Sequence, residues 1–324
     1  MFLKTPKFWY QKKGVLSYAL LPIAFIYQLV HLVLLSFKRD GYKSSLPVIC
    51  IGNAVAGGSG KTPTVLSLLE IIKDNNLFLN PYILTRGYGR NDTDTKLVNL
   101  KENIFSEVGD EALFLAEHAP VIVGSDRGKS AQLAEENGAD CLILDDGLLN
   151  HSLKKDVSIL VVDRNMDFGN GFTIPAGPLR VPLKKILPKI DTIITIGPQF
   201  LSDKPVFEGF ITPDSKVKEE KYIAFAGIGY PQKFKDFLED NGYYLSDWYE
   251  FPDHHSYSEK DIKSLLDKAK KENARLITTE KDFIRIPSIY KEMVDTLPIK
   301  LSIKDSKKLA EYLQSNLQNS HEKN

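Results

Sequence analysis

The 324 residues of this chain carry 42 Lys and Arg and 42 Asp and Glu, so the formal net charge is zero. That balance lacks the basic footprint of a nucleic-acid-binding protein, and we expect no nucleic acid among the partners. The length allows two domains. The two cysteines, Cys50 and Cys141, both lie in apolar runs. This placement indicates a reducing compartment and argues against a disulfide framework or a cysteine metal site.

An apolar segment of about 23 residues runs from Val15 to Phe37, with basic pairs at 12–13 and 38–39. At about 1.5 Å per residue, such a helix can cross a hydrocarbon core of about 30 Å. Pro22 and two polar residues interrupt it, so an anchor lying in the membrane plane is an alternative to a span. A buried helix of the soluble part is the other alternative. We expect membrane attachment, with the bulk of the protein in the cytoplasm.

A glycine-rich loop follows a predicted strand at Pro47–Ile51 and precedes a predicted helix at Thr64–Ile72. In this arrangement, backbone N–H groups and a helix N-terminus bind phosphate. The ending Gly-Lys-Thr matches G-x-x-x-x-G-K-[ST], but Val55 stands where the pattern has its first glycine. A glycine-rich turn that binds nothing is the alternative. The residues predicted to bind nucleotide are Asn53, Gly57, Gly58, Ser59, Gly60, Lys61, Thr62 and Pro63, with Lys61 on the β/γ-phosphates and the Thr62 hydroxyl on Mg²⁺.

Charged residues follow the next predicted strands. The sequence Arg86-Gly87-Tyr88-Gly89-Arg90 suits an anion-binding loop that stacks on a base or sugar, or else a solvated turn. Asp110 opens a predicted helix, where an acid alone indicates no more than a favourable charge at the helix N-terminus. Arg127 follows a third strand at its carboxyl end, where ligands of open parallel sheets bind.

Two acids, Asp145 and Asp146, end the apolar run that begins at Cys141. This pattern is typical of a strand whose terminal carboxylates hold Mg²⁺, and with Thr62 it completes a metal–nucleotide site. A solvated strand end is the alternative. A loop rich in Gly and Pro then leads to Arg180, which we place near phosphates or an anionic substrate, or in a structural role. The alternation of strands and helices predicts a doubly wound, mostly parallel α/β sheet of the P-loop NTPase type.

The second half begins after a polar, irregular stretch and predicts a smaller α/β domain. We predict an N-terminal membrane anchor at 1–40, a nucleotide-binding domain at 41–205 and a C-terminal α/β domain at 206–324. Asp253-His254-His255 suits metal ligands, a capping loop or an acid–base element, and Ser258 suits a capping box. The cluster Glu280-Lys281-Asp282 suits either a site or a salt-bridged surface.

Read together, these segments resemble the tetraacyldisaccharide 4′-kinase family of lipid A biosynthesis. The resemblance covers nearly the whole chain, and that family has the same irregular phosphate loop and an N-terminal hydrophobic helix. The segments that carry it are Gly52-Asn53, Gly57 to Pro63, Arg86 to Arg90, Gly109 to Glu111, Asp145 to Gly147, Gly169 to Gly171, Pro175 to Arg180, Phe225 to Gly229, Phe251 to His255 and Thr278 to Asp282.

The resemblance implies transfer of the γ-phosphate of ATP, with Mg²⁺, to the 4′-hydroxyl of a tetraacyl glucosamine disaccharide 1-phosphate, which gives lipid IVA. It implies an enzyme on the cytoplasmic side of the bacterial inner membrane, attached through its N-terminal helix. The residue roles it implies are a base, Asp110, paired with His254; active-site Lys61, Arg127 and Arg180; a metal set of Thr62, Asp145 and Asp146; and a substrate-facing loop with Arg86, Tyr88 and Arg90.

Two positions depart from the family pattern. Leu148-Leu149-Asn150 stands where Phe-Gln-His is expected, and Val181 replaces an acid, which leaves open the partner of Arg180. We assign no catalytic role to Leu149 or Asn150. The alternatives from other functional classes are a P-loop GTPase or metallochaperone-type switch, and a membrane-tethered adaptor without catalytic activity. The switch is disfavoured because residues 279–282 lack the spacing that reads guanine.

Overall fold

Two sheets organise the molecule. The computed structural model describes residues 6–36, 41–198, 200–214 and 220–322. The strands are β1 (Val48–Gly52), β2 (Pro81–Thr85), β3 (Lys96–Leu97), β4 (Val121–Val123), β5 (Cys141–Asp145), β6 (Val157–Asp163), β7 (Thr192–Ile196), β8 (Val206–Pro213), β9 (Lys221–Ala226), β10 (Tyr244–Glu250), β11 (Arg275–Thr279), β12 (Val294–Leu297) and β13 (Ile299–Ile303).

Helices cover the faces and edges of these sheets. They are α1 (Val15–Ala19), α2 (Leu21–Ser36), α3 (Lys61–Asp74), α4 (Phe105–Val108), α5 (Asp110–Ala116), α6 (Arg127–Glu136), α7 (Leu183–Ile186), α8 (Pro231–Asp240), α9 (Glu259–Glu272), α10 (Glu280–Ile284) and α11 (Ser306–Glu322). Short 3-10 helices lie at Lys7–Tyr10, Leu187–Lys189 and Ser288–Met293.

The larger sheet has nine strands in the order β13-β8-β7-β6-β1-β5-β2-β4-β3. All neighbours are parallel except the edge pairs β13–β8 and β3–β4. Side chains alternate between the two faces of β1, since Ile49 and Ile51 join the core under α3, α5 and α11, whereas Val48 and Cys50 join the core under α6 and α7. We call this sheet with its helices the large lobe. The predicted mixed α/β fold with a large, mostly parallel sheet is confirmed.

The smaller sheet has four parallel strands in the order β10-β9-β11-β12. Its two apolar cores lie on opposite faces, one under α9 and one under α8. Phe225 of β9 is fully buried and contacts the rings of Tyr257 and Phe251 edge-on at centroid distances of 5.3 and 6.2 Å. We call this sheet with α8, α9 and α10 the small lobe.

The chain passes between the lobes twice. Both β8 and β13 belong to the segment 206–324, yet they pair with each other in the nine-stranded sheet. Strand pairing does not measure whether a segment folds by itself. The division into domains at 40 and 205 therefore stays a prediction.

The N-terminal apolar segment forms two helices instead of one. Its first helix, α1, ends at Ala19, and α2 begins at Leu21, so the described part of residues 15–37 is divided at Leu20. Membrane attachment of this segment stays a prediction. Across residues 6–36, 41–198, 200–214 and 220–322, no helix has both the length and the apolar character needed to cross a bilayer. Residues 37–40, including the predicted basic pair Lys38-Arg39, lie outside the described residues.

Phe225→Ala should lower the free energy of unfolding of the small lobe by about 3 to 5 kcal/mol, because it leaves a cavity where an aromatic ring is fully buried. Denaturant unfolding followed by tryptophan fluorescence measures this change. Phe210→Ala, at a strand position that is 45% exposed, is the matched control and should cost about 1 kcal/mol or less. Equal losses in the two variants would contradict this description of the core.

Candidate active site

The glycine-rich loop has the geometry of a phosphate-binding loop. It joins the end of β1 to the start of α3, where Gly60 caps the helix in the left-handed region with φ of 81°. This positive φ favours glycine, and a Cβ on Gly60 would lie 2.1 Å from Cδ1 of Ile196, so a larger residue would also have to displace that side chain. The buried Asn53 amide braces the loop by donating to the Val55 carbonyl (2.8 Å) and to the Ser59 hydroxyl. Strand, loop and helix therefore stand as predicted.

Val55, which breaks the usual glycine pattern, has a structural explanation. It forms an antiparallel bridge with Leu179. On either side, Ala56 N–H donates to the Pro178 carbonyl (2.8 Å), and Arg180 N–H donates to the Ala54 carbonyl (3.0 Å). The extended backbone at this position ties the phosphate loop to the Pro-rich segment and thereby brings Arg180 beside it.

The two acids at the end of β5 differ in environment. Asp145 is buried, accepts a hydrogen bond from the Thr85 hydroxyl (3.3 Å), and leaves Oδ1 without a hydrogen-bond partner in the described residues. Asp146 has a φ of 55° and pairs with Arg180 at 3.0 and 2.9 Å. The Lys61 ammonium lies 3.8 Å from Asp146 Oδ2. The structure thus supplies the partner of Arg180 that the sequence left open.

Burial, with a smaller contribution from the nearby Glu111 carboxylate, raises the pKa of the Asp145 carboxyl to about 7. Glu111 has the opposite shift. Burial opposes its ionisation, but the Lys281 and Lys61 ammonium groups outweigh burial and lower its pKa to about 2. The two carboxyls share one cationic environment, in which Glu111 holds the negative charge more readily.

A chain of polar contacts links the phosphate loop to the small lobe. The Thr62 hydroxyl donates to Glu111 Oε1, and the same oxygen accepts from the Lys281 ammonium at 2.7 Å. Lys281 lies in the first turn of α10, directly after β11. The cluster at residues 280–282, for which site and surface were both open, therefore reaches the candidate site through Lys281.

The predicted pair of Asp110 and His254 is present. Asp110 begins α5 of the large lobe and is 5% exposed, whereas His254 lies in a loop of the small lobe with φ of 55°. Asp110 Oδ2 lies 3.0 Å from His254 Nδ1 and 3.5 Å from Nε of Arg285. The His254 side chain is 27% exposed, and the Tyr88 ring lies 5.1 Å from it.

The charges in this pair reinforce each other. Burial raises the pKa of Asp110, but the hydrogen bond and charge of His254, together with Arg285 and Lys281, lower it below its ordinary value. For His254, burial disfavours the imidazolium, yet Asp110 and Asp253 outweigh burial and raise the pKa. The pair is therefore suited to holding a negative carboxylate against a basic imidazole.

The predicted arginines occupy different positions. Arg127 is 3% exposed at the start of α6, donates to the Gly124 carbonyl, and its buried Nε has no hydrogen-bond partner in the described residues. Burial lowers the pKa of Arg127 to about 10, and the charges of Asp145 and Asp146 act in the other direction. Arg90 donates to two carbonyls of its own loop, at Asp94 (2.6 Å) and Thr93 (3.2 Å).

Three further residues discussed in the sequence, Asn150, Ser258 and His255, have structural contacts. Asn150 accepts from the backbone and hydroxyl of Ser152 (both 2.9 Å), and that hydroxyl accepts from Arg127 N–H (3.0 Å), so Asn150 braces the start of α6. Ser258 caps α9 in a capping box, as predicted. His255 pairs with Asp261 at 3.2 Å and lies in this capping loop.

Three side chains of the candidate site were not assigned to it from the sequence: Glu111, Lys281 and Arg285. Glu111 stands beside the predicted Asp110, and Lys281 belongs to a cluster that was noticed. Arg285 follows Lys281 by four residues, a spacing that places both on the same face of a helix. This four-residue spacing could have linked Arg285 to Lys281 from the sequence. It does not indicate which part of the protein that face of the helix contacts.

The oxygen set of Thr62, Asp145 and Asp146 fits a magnesium ion. Hydroxyl and carboxylate oxygens are ligands that Mg²⁺ prefers, and the buried Asp145 Oδ1 has unused acceptor capacity. No cluster of three or more His, Cys, Asp or Glu with metal-site geometry occurs in the described ranges. Mg²⁺ commonly uses few carboxylates together with substrate phosphates.

Comparison with known proteins gives a consistent result. A family model described as Tetraacyldisaccharide-1-P 4'-kinase matches residues 16–318. Curated proteins named Tetraacyldisaccharide 4'-kinase from Rhodopseudomonas palustris and Paramagnetospirillum magneticum are 36% and 38% identical, over 94% and 92% of this chain and 93% and 94% of theirs. A crystal structure of "apo" form LpxK from Aquifex aeolicus in complex with ATP has a TM-score of 0.77 and 29% identity, covering 94% of this chain and all of that one.

Asp145→Asn should stabilise the protein at high pH. An unfolded aspartate has a pKa of about 3.9, whereas burial raises the pKa of folded Asp145 to about 7. The folded state therefore binds the proton more tightly, and the parent loses stability as the pH rises between these values. We expect the free energy of unfolding of Asp145→Asn to exceed that of the parent by about 2 to 4 kcal/mol at pH 8 and to equal it near pH 4.

Thermal unfolding with EDTA, across this pH range, measures the difference. Asp146→Asn is the matched control, because Asp146 is the next residue and its carboxylate is 32% exposed. A gain for Asp145→Asn that does not change with pH would contradict the prediction.

Proposed function

The chain belongs to the tetraacyldisaccharide-1-P 4'-kinase family, and from that membership we propose that it transfers the γ-phosphoryl group of ATP to the 4′-hydroxyl of a tetraacyl glucosamine disaccharide 1-phosphate. The product is the 4′-phosphorylated lipid of lipid A biosynthesis. One observation carries the proposal for this particular chain. The Asp110–His254 pair lies next to Glu111, which is hydrogen-bonded to Thr62 of the phosphate loop.

The nucleotide phosphates bind at the phosphate loop in this proposal. Backbone N–H groups from Asn53 to Gly60 and the N-terminus of α3 face the phosphates, and the Lys61 ammonium reaches the β/γ position. Thr62, Asp145 and Asp146 would hold Mg²⁺, which supplies neutralisation of the charge that develops on the phosphates. The arginines at 127 and 180 add positive charge from the large lobe.

The acceptor hydroxyl binds on the other side of the transferred group, at the junction of the two lobes. Phosphoryl transfer needs charge neutralisation, in-line positioning and a group that takes the hydroxyl proton. The pair of Asp110 and His254 serves as that group. Tyr88 lies against His254 and is 56% exposed, so its ring suits contact with a sugar face, with Arg86 beside it for an anionic group. Arg90, which donates to the Asp94 and Thr93 carbonyls, holds the conformation of this substrate-facing loop.

The N-terminal helices suit contact with a lipid surface. They expose large apolar side chains and are tied to the large lobe by side-chain hydrogen bonds, from Gln28 to Thr173 (2.8 Å) and from Asn170 to Ser17 (3.1 Å). We propose that they attach the protein to the cytoplasmic face of the inner membrane, lying in the interface. The exposed apolar residues are Val15, Leu16, Tyr18, Ile23, Phe25, Ile26, Leu29, Val30 and Val33.

Transfer of labelled γ-phosphate from ATP to a detergent-dispersed disaccharide 1-phosphate tests the function. We expect Asp110→Ala to lower kcat by about 100-fold or more with ATP binding nearly unchanged, since it removes only the proton acceptor pair. Lys61→Ala is the contrasting variant and should weaken ATP binding as well. Equal losses of binding and turnover in both variants would contradict the assigned roles. GTP hydrolysis without lipid transfer would favour the P-loop switch instead.

The double substitution Phe25→Ser and Leu29→Ser should weaken binding to phospholipid vesicles about tenfold or more, because it removes apolar area from the exposed face of α2. Co-flotation with vesicles measures binding, and ATP affinity serves as the folding check. Leu201→Ser, at a residue that is 92% exposed on the large lobe, is the matched control. Vesicle binding that is the same in all three proteins would contradict the proposed attachment.

A further inference from the structure

Arg285 is a buried cation of the small lobe that the mechanism above does not use. Its side chain is 2% exposed. It lies just beyond the end of α10, with Nε 3.5 Å from Asp110 Oδ2 across the lobe junction. A guanidinium stays protonated throughout the accessible pH range. Asp110 therefore always faces a positive charge from the small lobe.

The guanidinium is held in place by a fully buried acid of its own lobe. Its terminal NH2 donates to Asp282 Oδ1 (2.6 Å) and to the Gly227 carbonyl (3.1 Å), and Nε donates to the Lys281 carbonyl (3.3 Å). Asp282 Oδ1 also accepts from Gly227 N–H (2.9 Å) and from the Tyr257 hydroxyl (2.8 Å). All of these contacts come from the small lobe, so Arg285 is held in place by its own lobe as well as facing Asp110.

The groups that face the Asp110–His254 pair come from four elements. From α10 and its end come Lys281 and Arg285, and the small-lobe loop contributes Asp253, whose Oδ1 lies 3.8 Å from His254 Nε2. Tyr88 faces the imidazole from the large lobe, and Glu111 follows Asp110 on α5, its N–H donating to Asp110 Oδ1 (2.8 Å). Among these groups, the His254 imidazole and the Arg285 guanidinium both lie within 4 Å of the Asp110 carboxylate.

We propose, on the basis of the proposed function, that Arg285 is a positioning residue that keeps Asp110 ionised during turnover, so that the hydroxyl proton is taken by His254 Nε2 and not by Asp110. The ionised carboxylate accepts from His254 Nδ1–H, and in this tautomer Nε2 is the basic nitrogen of the imidazole. Without Arg285, the proton would be shared between the carboxyl and the imidazole, and the tautomer would no longer be fixed.

The proposed step is balanced. The acceptor oxygen forms a bond to the γ-phosphorus while the bond from that phosphorus to the β–γ bridging oxygen breaks, and ADP leaves with that electron pair. The hydroxyl proton moves to His254 Nε2 and gives an imidazolium beside the Asp110 carboxylate. The imidazolium then releases this proton to water, which restores the starting state.

Arg285→Met and Arg285→Lys separate charge from structure. The positive charge disfavours the imidazolium, so its removal in Arg285→Met should move the acid limb of the kcat/KM profile to higher pH by about one unit. The plateau kcat should fall about tenfold or more, with KM for ATP unchanged within about twofold. Arg285→Lys keeps the charge and should leave the acid limb of the kcat/KM profile at the pH of the parent. An acid limb that does not move in Arg285→Met, or that moves equally in both variants, would overturn the proposal.

NMR of ¹³C-labelled histidine provides a readout without turnover. The chain has six histidines, and the signal of His254 is identified by its loss in His254→Gln. We expect the imidazole to titrate about one pH unit higher in Arg285→Met than in the parent, and an unchanged titration would overturn the proposal. If Arg285→Met does not fold, Arg285→Gln, which is neutral but retains donors, takes its place. Failure of the parent to phosphorylate the lipid at any pH would reject the proposed function, while this titration still decides the role of Arg285.

Discussion

The structure depends on neutralising a carboxylate that the fold buries between two lobes. Asp110 begins a helix of the large lobe, but the imidazole and guanidinium that face its side chain, His254 and Arg285, come from the small lobe. A buried carboxylate without such partners costs several kcal/mol. Apposition of the lobes therefore stabilises Asp110 and brings it together with His254, the pair that we propose accepts the proton.

The phosphate side of the site follows from parallel strands. In such a sheet the carboxyl ends of neighbouring strands lie at one edge, and here β1 and β5 are adjacent, so Lys61 and Asp146 come within 3.8 Å. The small lobe reaches this edge through Lys281, whose ammonium contacts Glu111 beside Thr62. Charge is thus distributed over both lobes, which suits a reaction in which positioning and electrostatic stabilisation contribute most of the rate.

Local sequence patterns predicted the local structure well. The strand, glycine loop and helix around Lys61 were recognisable because each has its own periodicity. The pair of Asp110 and His254 came from a family resemblance, since 144 residues separate them and no local pattern encodes such a distance. Arg285 was missed for the same reason. Within residues 15–37, hydropathy alone did not register the division between α1 and the helix that starts at Leu21, next to Pro22.

A double-mutant cycle on turnover tests most directly whether Asp110 and His254 act as one unit across the lobes. The parent, Asp110→Asn, His254→Gln and the double variant would be compared at saturating ATP and lipid. If the two residues share one function, the double variant should be about as slow as the slower single variant, as found for groups that act together. Losses that multiply, so that the double variant is slower by the product of the two single effects, would contradict a joined site.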